Sequence, residues 1–214
     1  MSRSAGLLAR GPWEPDQVRA TWREEPFEPE SAAAAGADAV LESLRERGSP
    51  THDGMSARMA SFDATPDRLA FDLEPARWAL RLAEGGAEGM SALCVVRDTE
   101  GRWLAGRRAA WLASWPGRWA LGAGGAVDVG ESPAHTLERE LMEEWSVEPE
   151  SLSVEALVRL PSGLVLLVGL ARLAEGAEVQ IDPEHDDCAW WPADVAQWPE
   201  EADEPLRRMA GLLG

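Results

Sequence analysis

The chain contains no lysine, no asparagine and no tyrosine, and Ile181 is its single isoleucine. All 20 basic residues are therefore arginine, and the 11 tryptophans partly replace the missing tyrosine. This skew reads as the codon usage of a GC-rich genome, not as a functional signature. Cysteine is scarce as well: Cys94 and Cys188 lie far apart in the apolar settings "ALCVV" and "DCAWW". Two such residues form neither a metal nor a disulfide pattern, so both are expected as buried free thiols in a reducing compartment. Long apolar runs are missing too. The longest, "LVLLVGLA" at 164–171, is far too short to cross a bilayer. The opening "MSRSAGLLARGPW" lacks the apolar core of a signal peptide. From these absences we expect a cytoplasmic protein without a membrane partner. Positive charge is outnumbered: 20 basic against 38 acidic residues leave a formal charge of −18. Such a field repels nucleic-acid phosphates and anionic lipid, which excludes a polyanion-binding role, and it locally attracts divalent cations.

What is present is a chain of 214 residues, 45% hydrophobic and 27% charged, as in a soluble globular protein. That length suits one large domain, or one domain with a substantial extension. The Gly-rich "EGGAEG" at 84–89 reads as a joint between an N-terminal extension, 1–88, and a second unit, 89–214. In the extension, residues 1–30 are rich in proline and acid and are expected to be irregular. Ser31 opens an Ala-rich helix that Gly48 ends. "ARMASF" and "DRLAFDL" alternate as the strands of a hairpin, and "EPARWALRLAE" reads as a short amphipathic helix. Past the joint, "MSALCVVRD" and "RWLAGRR" flank a turn at "DTEG". "LSVEALVRL" and "GLVLLVGLARL" pair around "PSG", "CAWWP" is a short strand, and 201–213 forms a closing helix. Strands interleaved with helices indicate an α/β unit with a mixed sheet covered by helices, preceded by an α+β extension.

The densest chemistry lies in "GGAVDVGESPAHTLERELMEEW", residues 124–145, which holds six acids: Asp128, Glu131, Glu138, Glu140, Glu143 and Glu144. Ser132 and Pro133 form a helix start, a capping hydroxyl followed by a proline whose missing N–H costs nothing there. A helix from Pro133 to Trp145 places Glu140 and Glu144 one turn apart on one face, with Glu143 beside them. Leu137 and Leu141 form the core-facing stripe. Carboxylates this close need compensation from Arg139, from solvent or from a bound cation. Mg²⁺ or Mn²⁺, hard ions that take oxygen ligands, fit that description. The Gly124–Gly125 pair lets backbone approach a ligand closely and can offer a carbonyl to the same metal.

Gly125, five residues, Glu131, seven residues and then "RELMEEWSV" (139–147) resemble the Nudix box. Ser146 stands where the family has a glycine, and Ala123 where a proline often precedes the double glycine; neither change removes an expected ligand. The resemblance implies a Nudix-type α/β/α sandwich over about 89–214. It also implies metal-dependent hydrolysis of a nucleoside diphosphate linked to another moiety. By analogy Glu140 and Glu144 hold the metal, Glu143 shares ligation and Gly125 lends its carbonyl. Glu140 or a separate loop acid orients the attacking water, Arg139 fixes a helix glutamate, and Glu131 braces the loop. The implied partner is a nucleotide-derived small molecule.

Other residues carry two readings each. Glu184 in "DPEHDDCAWW" is either a further catalytic or metal acid or a solvated loop charge, and His185 beside it reads as structural before catalytic. Arg107 and Arg108 end a strand facing the expected site and can grip phosphate, or can pair on an acidic surface. For Trp115 and Trp119, core packing outweighs stacking on a base. "THDGMSARMASFD" resembles a segment that precedes the box in some nucleotide-sugar diphosphatases. It favours an NDP-sugar or ADP-ribose-like substrate over a nucleoside triphosphate, whose hydrolases are often the compact domain alone. A non-catalytic Nudix-fold sensor is the contrasting class, and such proteins commonly lose the box acids that this chain keeps. Residues 1–88 are expected to select substrate or to form a homodimer interface.

Overall fold

The computed structural model describes residues 5–49, 53–83 and 87–213. Its elements run β1 (Gly6–Trp13), β2 (Val18–Trp22), α1 (Ser31–Glu46), β3 (Met55–Thr65), β4 (Arg68–Arg77), β5 (Met90–Arg97), β6 (Trp103–Arg108), β7 (Trp119–Leu121), β8 (Ala123–Ala126), α2 (Pro133–Trp145), β9 (Ser151–Arg159), β10 (Val165–Arg172), β11 (His185–Trp191) and α3 (Glu204–Leu213). The larger sheet has the order β1-β9-β10-β5-β6-β11, with β7 added to β6 and β8 to β5. It is mixed: β10 runs parallel to β5 and antiparallel to β9. A second sheet, β2-β4-β3, is built wholly from the N-terminal part.

Helices cover both faces of the larger sheet, which makes an α/β/α arrangement. On one face α2 buries Leu137, Leu141 and Trp145 against Ala92, Cys94, Leu104 and Leu167. The same core takes in Met59, Leu69, Phe71 and Leu73 of the small sheet, so α2 lies between two sheets. On the other face Leu206, Ala210 and Leu213 of α3 meet Val95, Trp103 and Val168. The small sheet also reaches the segment before α2 directly: Ala57 N–H donates to Val127 O at 2.8 Å, and Ser56 bridges to Asp128.

The site depends on how β5 and β6 part. They pair only at Arg97↔Trp103, beside their hairpin turn. Past that point β7 follows β6 and β8 follows β5, with Gly122 between them at φ +62°. A Cβ at Gly122 would stand 1.8 Å from Cys94 O, so the chain can change partner there only with glycine. That switch brings Gly124 and Gly125 opposite Leu93 and Ala92 and against α2.

Three expectations need correction. Residues 1–30 are only partly irregular: among the described residues Gly6–Trp13 and Val18–Trp22 are strands, while 23–30 has no regular structure. β1 joins the edge of the larger sheet against β9, and β2 runs parallel to β4. β1 was hidden because an edge strand with shifted register needs little alternation, and its burial follows no clean period. "EPARWALRLAE" is not an amphipathic helix. Pro75 pushes Glu74 towards extended backbone, β4 therefore continues to Arg77, and only a 3₁₀ turn follows at Trp78–Leu82. Cys188 is exposed, because β11 is the outermost strand on its side of the sheet, while Cys94 is buried; both are free. Of the joint at 84–89, residues 84–86 lie outside the described residues.

Candidate active site

Helix α2 starts at Pro133, as the Ser-Pro pair predicts, but the Ser132 hydroxyl makes no capping bond. Glu131 organises the turn instead. Its Oε2 accepts from Thr136 Oγ1 at 2.7 Å and from the Asp128 N–H at 3.3 Å. Arg139 Nε donates to Glu131 Oε1 at 3.1 Å, and Nη2 donates to Oε2 at 3.2 Å. Burial pushes the Glu131 carboxyl up, but the Arg139 and Thr136 bonds prevail and hold it below the usual carboxylate range.

Arg139 is the hub. Beyond Glu131 it donates to Glu140 Oε1 at 2.8 Å, Glu143 Oε2 at 2.9 Å and Ala126 O at 3.1 Å. One guanidinium thus ties the loop, β8 and two helix acids together, a task that a point-charge ammonium performs poorly.

The three glutamates are not equivalent. Glu140 and Glu144 are buried at 7% and 4% exposure, whereas the Glu143 side chain is 57% exposed. Glu140 lies against Gly125, where a Cβ would stand 2.1 Å from Oε1, so the close approach requires glycine. Glu144 Oε1 accepts the Gly124 N–H at 3.1 Å. Burial pushes the Glu140 carboxyl up to about 7 despite Arg139. Burial and then the Glu140 charge drive Glu144 well above its ordinary value, against the pull of the Gly124 N–H and Arg108. Among the described residues no three acid, histidine or cysteine side chains stand ready as a metal-ligating group.

Arg108 Nη2 lies 3.7 Å from Glu184 Oε2, and both act electrostatically on Glu144. The structure therefore gathers Glu131, Arg139, Glu140, Glu143, Glu144, Gly124, Gly125, Arg108 and Glu184. Arg107 is turned elsewhere. Gly106 faces Trp145 and His185, so strand alternation points exposed Arg107 to the α3 side, beside Trp119. Trp119 is half-buried against Trp191, but Trp115 is 39% exposed and left-handed at φ 56°, not a core residue.

His185 is more central than its sequence suggests. It is buried with its ring 4.7 Å from Trp145, and Nδ1 lies 3.0 Å from Asp182 Oδ1. Its Nε2 faces Glu144 Oε2 at 3.7 Å. The signal in the sequence was adjacency to Glu184, and Asp182, three residues before the histidine, was not singled out.

The family model for the NUDIX domain matches residues 88–210. The chain belongs to the Nudix family. It is a Nudix pyrophosphohydrolase, and the acids of its box stand on α2 and the loop before it. Among similar solved structures is the Nudix domain of Shewanella oneidensis NrtR complexed with ADP ribose. That domain is 26% identical with TM-score 0.47, and the match covers 58% of this chain and 87% of that one. A MutT Nudix hydrolase from Burkholderia pseudomallei is 23% identical with TM-score 0.49, covering 59% and 98% respectively. A C. elegans Ap4A hydrolase binary complex is 21% identical with TM-score 0.46, covering 57% and 97%. No curated protein matches the chain. Nudix hydrolases generally use divalent metal ions, and no described helix is long and apolar enough to cross a membrane.

Proposed function

We propose that this Nudix protein cleaves the diphosphate linkage of a nucleoside diphosphate derivative, an NDP-sugar or ADP-ribose-like compound, with Mg²⁺ or Mn²⁺ bound. One observation carries the reading: the buried Glu140–Glu144 pair, held against Gly124 and Gly125 without its own countercharge at Glu144. Glu144 Oε2 is buried and has no hydrogen-bond partner, and His185 Nε2 facing it has none either. Two buried carboxylates in contact call for a cation, and carboxylate and carbonyl oxygens are hard donors suited to Mg²⁺ or Mn²⁺. Glu140 and Glu144 would hold it, with Glu143 and the Gly125 carbonyl as further donors. Bound there, such an ion neutralises the diphosphate and makes a coordinated water acidic.

The chain's own groups set the rest. Arg139 fixes Glu140 and takes up the exposed Glu143, so the helix acids keep their rotamers without substrate. The Gly124 N–H pins one oxygen of Glu144 and leaves the other free. Arg108 supplies a cation for a phosphate oxygen, and Glu184, on the segment leading into β11, is the acid available from outside the box to orient water. The two free thiols fit a cytoplasmic setting. The test is a screen of nucleotide sugars, ADP-ribose and nucleoside triphosphates with Mg²⁺ and Mn²⁺, reading nucleoside monophosphate and phosphate. Release of a nucleoside monophosphate from a diphosphate derivative, lost in Glu144→Gln, supports the reading. Hydrolysis confined to triphosphates overturns the substrate class.

A further inference from the structure

Four buried side-chain atoms lack a hydrogen-bond partner among the described residues: Arg58 Nε, Arg159 Nε, Glu144 Oε2 and His185 Nε2. The two arginines still form ion pairs through another nitrogen, Arg58 with Glu74 and Arg159 with Glu88. The other two orphans face each other, 3.7 Å apart. That gap is too long for a hydrogen bond, so no shared proton closes it. A buried polar group left unpaired is costly, and two aimed at one point call for a partner between them.

The imidazole is held with that nitrogen forward. His185 Nδ1 lies 3.0 Å from Asp182 Oδ1. A carboxylate only accepts, so Nδ1 carries a proton, and Nε2 of the neutral ring presents a bare lone pair. The Trp145 ring lies 4.7 Å away on one side. Towards β6 the fit is so close that a Cβ on Gly106 would stand 2.4 Å from His185 Cδ2. The segment carrying both residues is docked on the end of α2. Gln180 N–H donates to Trp145 O at 2.9 Å, and Asp182 N–H donates to Glu144 O at 3.2 Å. Asp182, His185 and Glu144 are thus fixed as one unit.

A carboxylate on one imidazole nitrogen and a free lone pair on the other is how a metal-ligating histidine is generally held. Two donor bonds of about 2.1 Å reach across 3.7 Å, so one ion can take both atoms. We infer that His185 is a nitrogen ligand of the cation at Glu144, with Asp182 as its positioning residue. Imidazole suits transition ions, whereas Mg²⁺ prefers oxygen, so His185 tilts the site from Mg²⁺ towards Mn²⁺ and further towards Co²⁺. The inference rests on the metal reading above and adds to it a donor from the start of β11, outside the box.

The experiment loads the full chain with less than one equivalent of Mn²⁺ and reads ¹⁴N modulation of the electron spin echo. The wild type should show a directly bound imidazole nitrogen, and His135→Gln, at an exposed histidine, should keep it. His185→Asn, whose amide can still meet Asp182 but lacks the Nε2 end, should lose it. Calorimetric titration should show Co²⁺ affinity falling on the order of tenfold or more in His185→Asn and Asp182→Asn, with Mg²⁺ affinity changed less. A wild type that binds Mn²⁺ without the nitrogen signal overturns the inference, and this result stands even if the variants fail to fold. A signal that survives His185→Asn overturns it too, as does a wild type that binds no Mn²⁺. Failure of the hydrolase reading looks different. Nitrogen-bound Mn²⁺ in a chain that turns over no nucleotide keeps the ligand and removes the reaction, whereas turnover without the nitrogen signal does the reverse.

Discussion

Ser146 closes α2 in the left-handed region, at φ 54° and ψ 37°. Its backbone N–H still donates to Met142 O at 3.1 Å, so the helix end is bonded and the residue is held there. A non-glycine residue in this conformation costs about 1–2 kcal/mol through Cβ crowding. The Ser146 side chain is exposed, so removing it sacrifices little packing. Ser146→Gly removes the crowding, while the freer unfolded chain takes back about 0.4–1 kcal/mol. The expected net gain is about 0–1.6 kcal/mol, which in a chain of this size raises Tm by up to roughly 6 °C. Thermal melts followed by circular dichroism, with urea titrations at one temperature, measure it. Ser146→Ala is the control: it keeps the Cβ and should show no comparable gain. Activity should not change, since Ser146 touches neither Glu140 nor Glu144. A Gly variant that melts clearly below the wild type would refute a left-handed Ser146, and with it the account of how the helix ends.

Glu144→Gln, nearly isosteric, should fold normally and lower kcat by about two orders of magnitude, checked on the substrate found by the screen. Gly122→Ala should destabilise the fold by about 3 kcal/mol or more, or prevent soluble expression. An unchanged urea midpoint would contradict the close approach to Cys94 O. In chelator, stability should fall as pH rises from about 4.5 to about 7, because folded Glu140 keeps a proton that the unfolded chain, near 4.5, has already lost. Urea midpoints that rise over that interval would overturn the burial argument.

Much of the second unit was readable because its signals are local. Leu137 and Leu141 recur one turn apart, Ser-Pro marks a helix start, and apolar runs flank the turns at Gly101 and Gly163. Helical spacing put Glu140 and Glu144 one turn apart, and the resemblance supplied their expected role. What resisted reading depends on contacts between remote segments. β1 is a strand because β9 is available to it, and Cys188 is exposed because nothing lies beyond β11. Arg107 and Arg108 are neighbours, and only the placement of Gly106 against Trp145 and His185 tells which one faces the acids. Pro75 was legible as a helix breaker, but the apolar spacing after it outweighed that signal.

The small sheet holds the box from behind. Ala57 and Ser56 of β3 bond to Val127 and Asp128, and Trp22 Nε1 donates to Glu131 O at 3.1 Å. The loop between Gly125 and α2 is therefore fastened at three points to chain that lies upstream of the matched domain. A cut or truncation in that upstream chain would act like loosening the jaw of a vice. The acids would remain in the sequence, while amide protons of residues 126–131 would begin to exchange with solvent. Evolution of this loop's stiffness, and with it the fit to one diphosphate compound over another, can then proceed through β2 and β3 without any change inside the box.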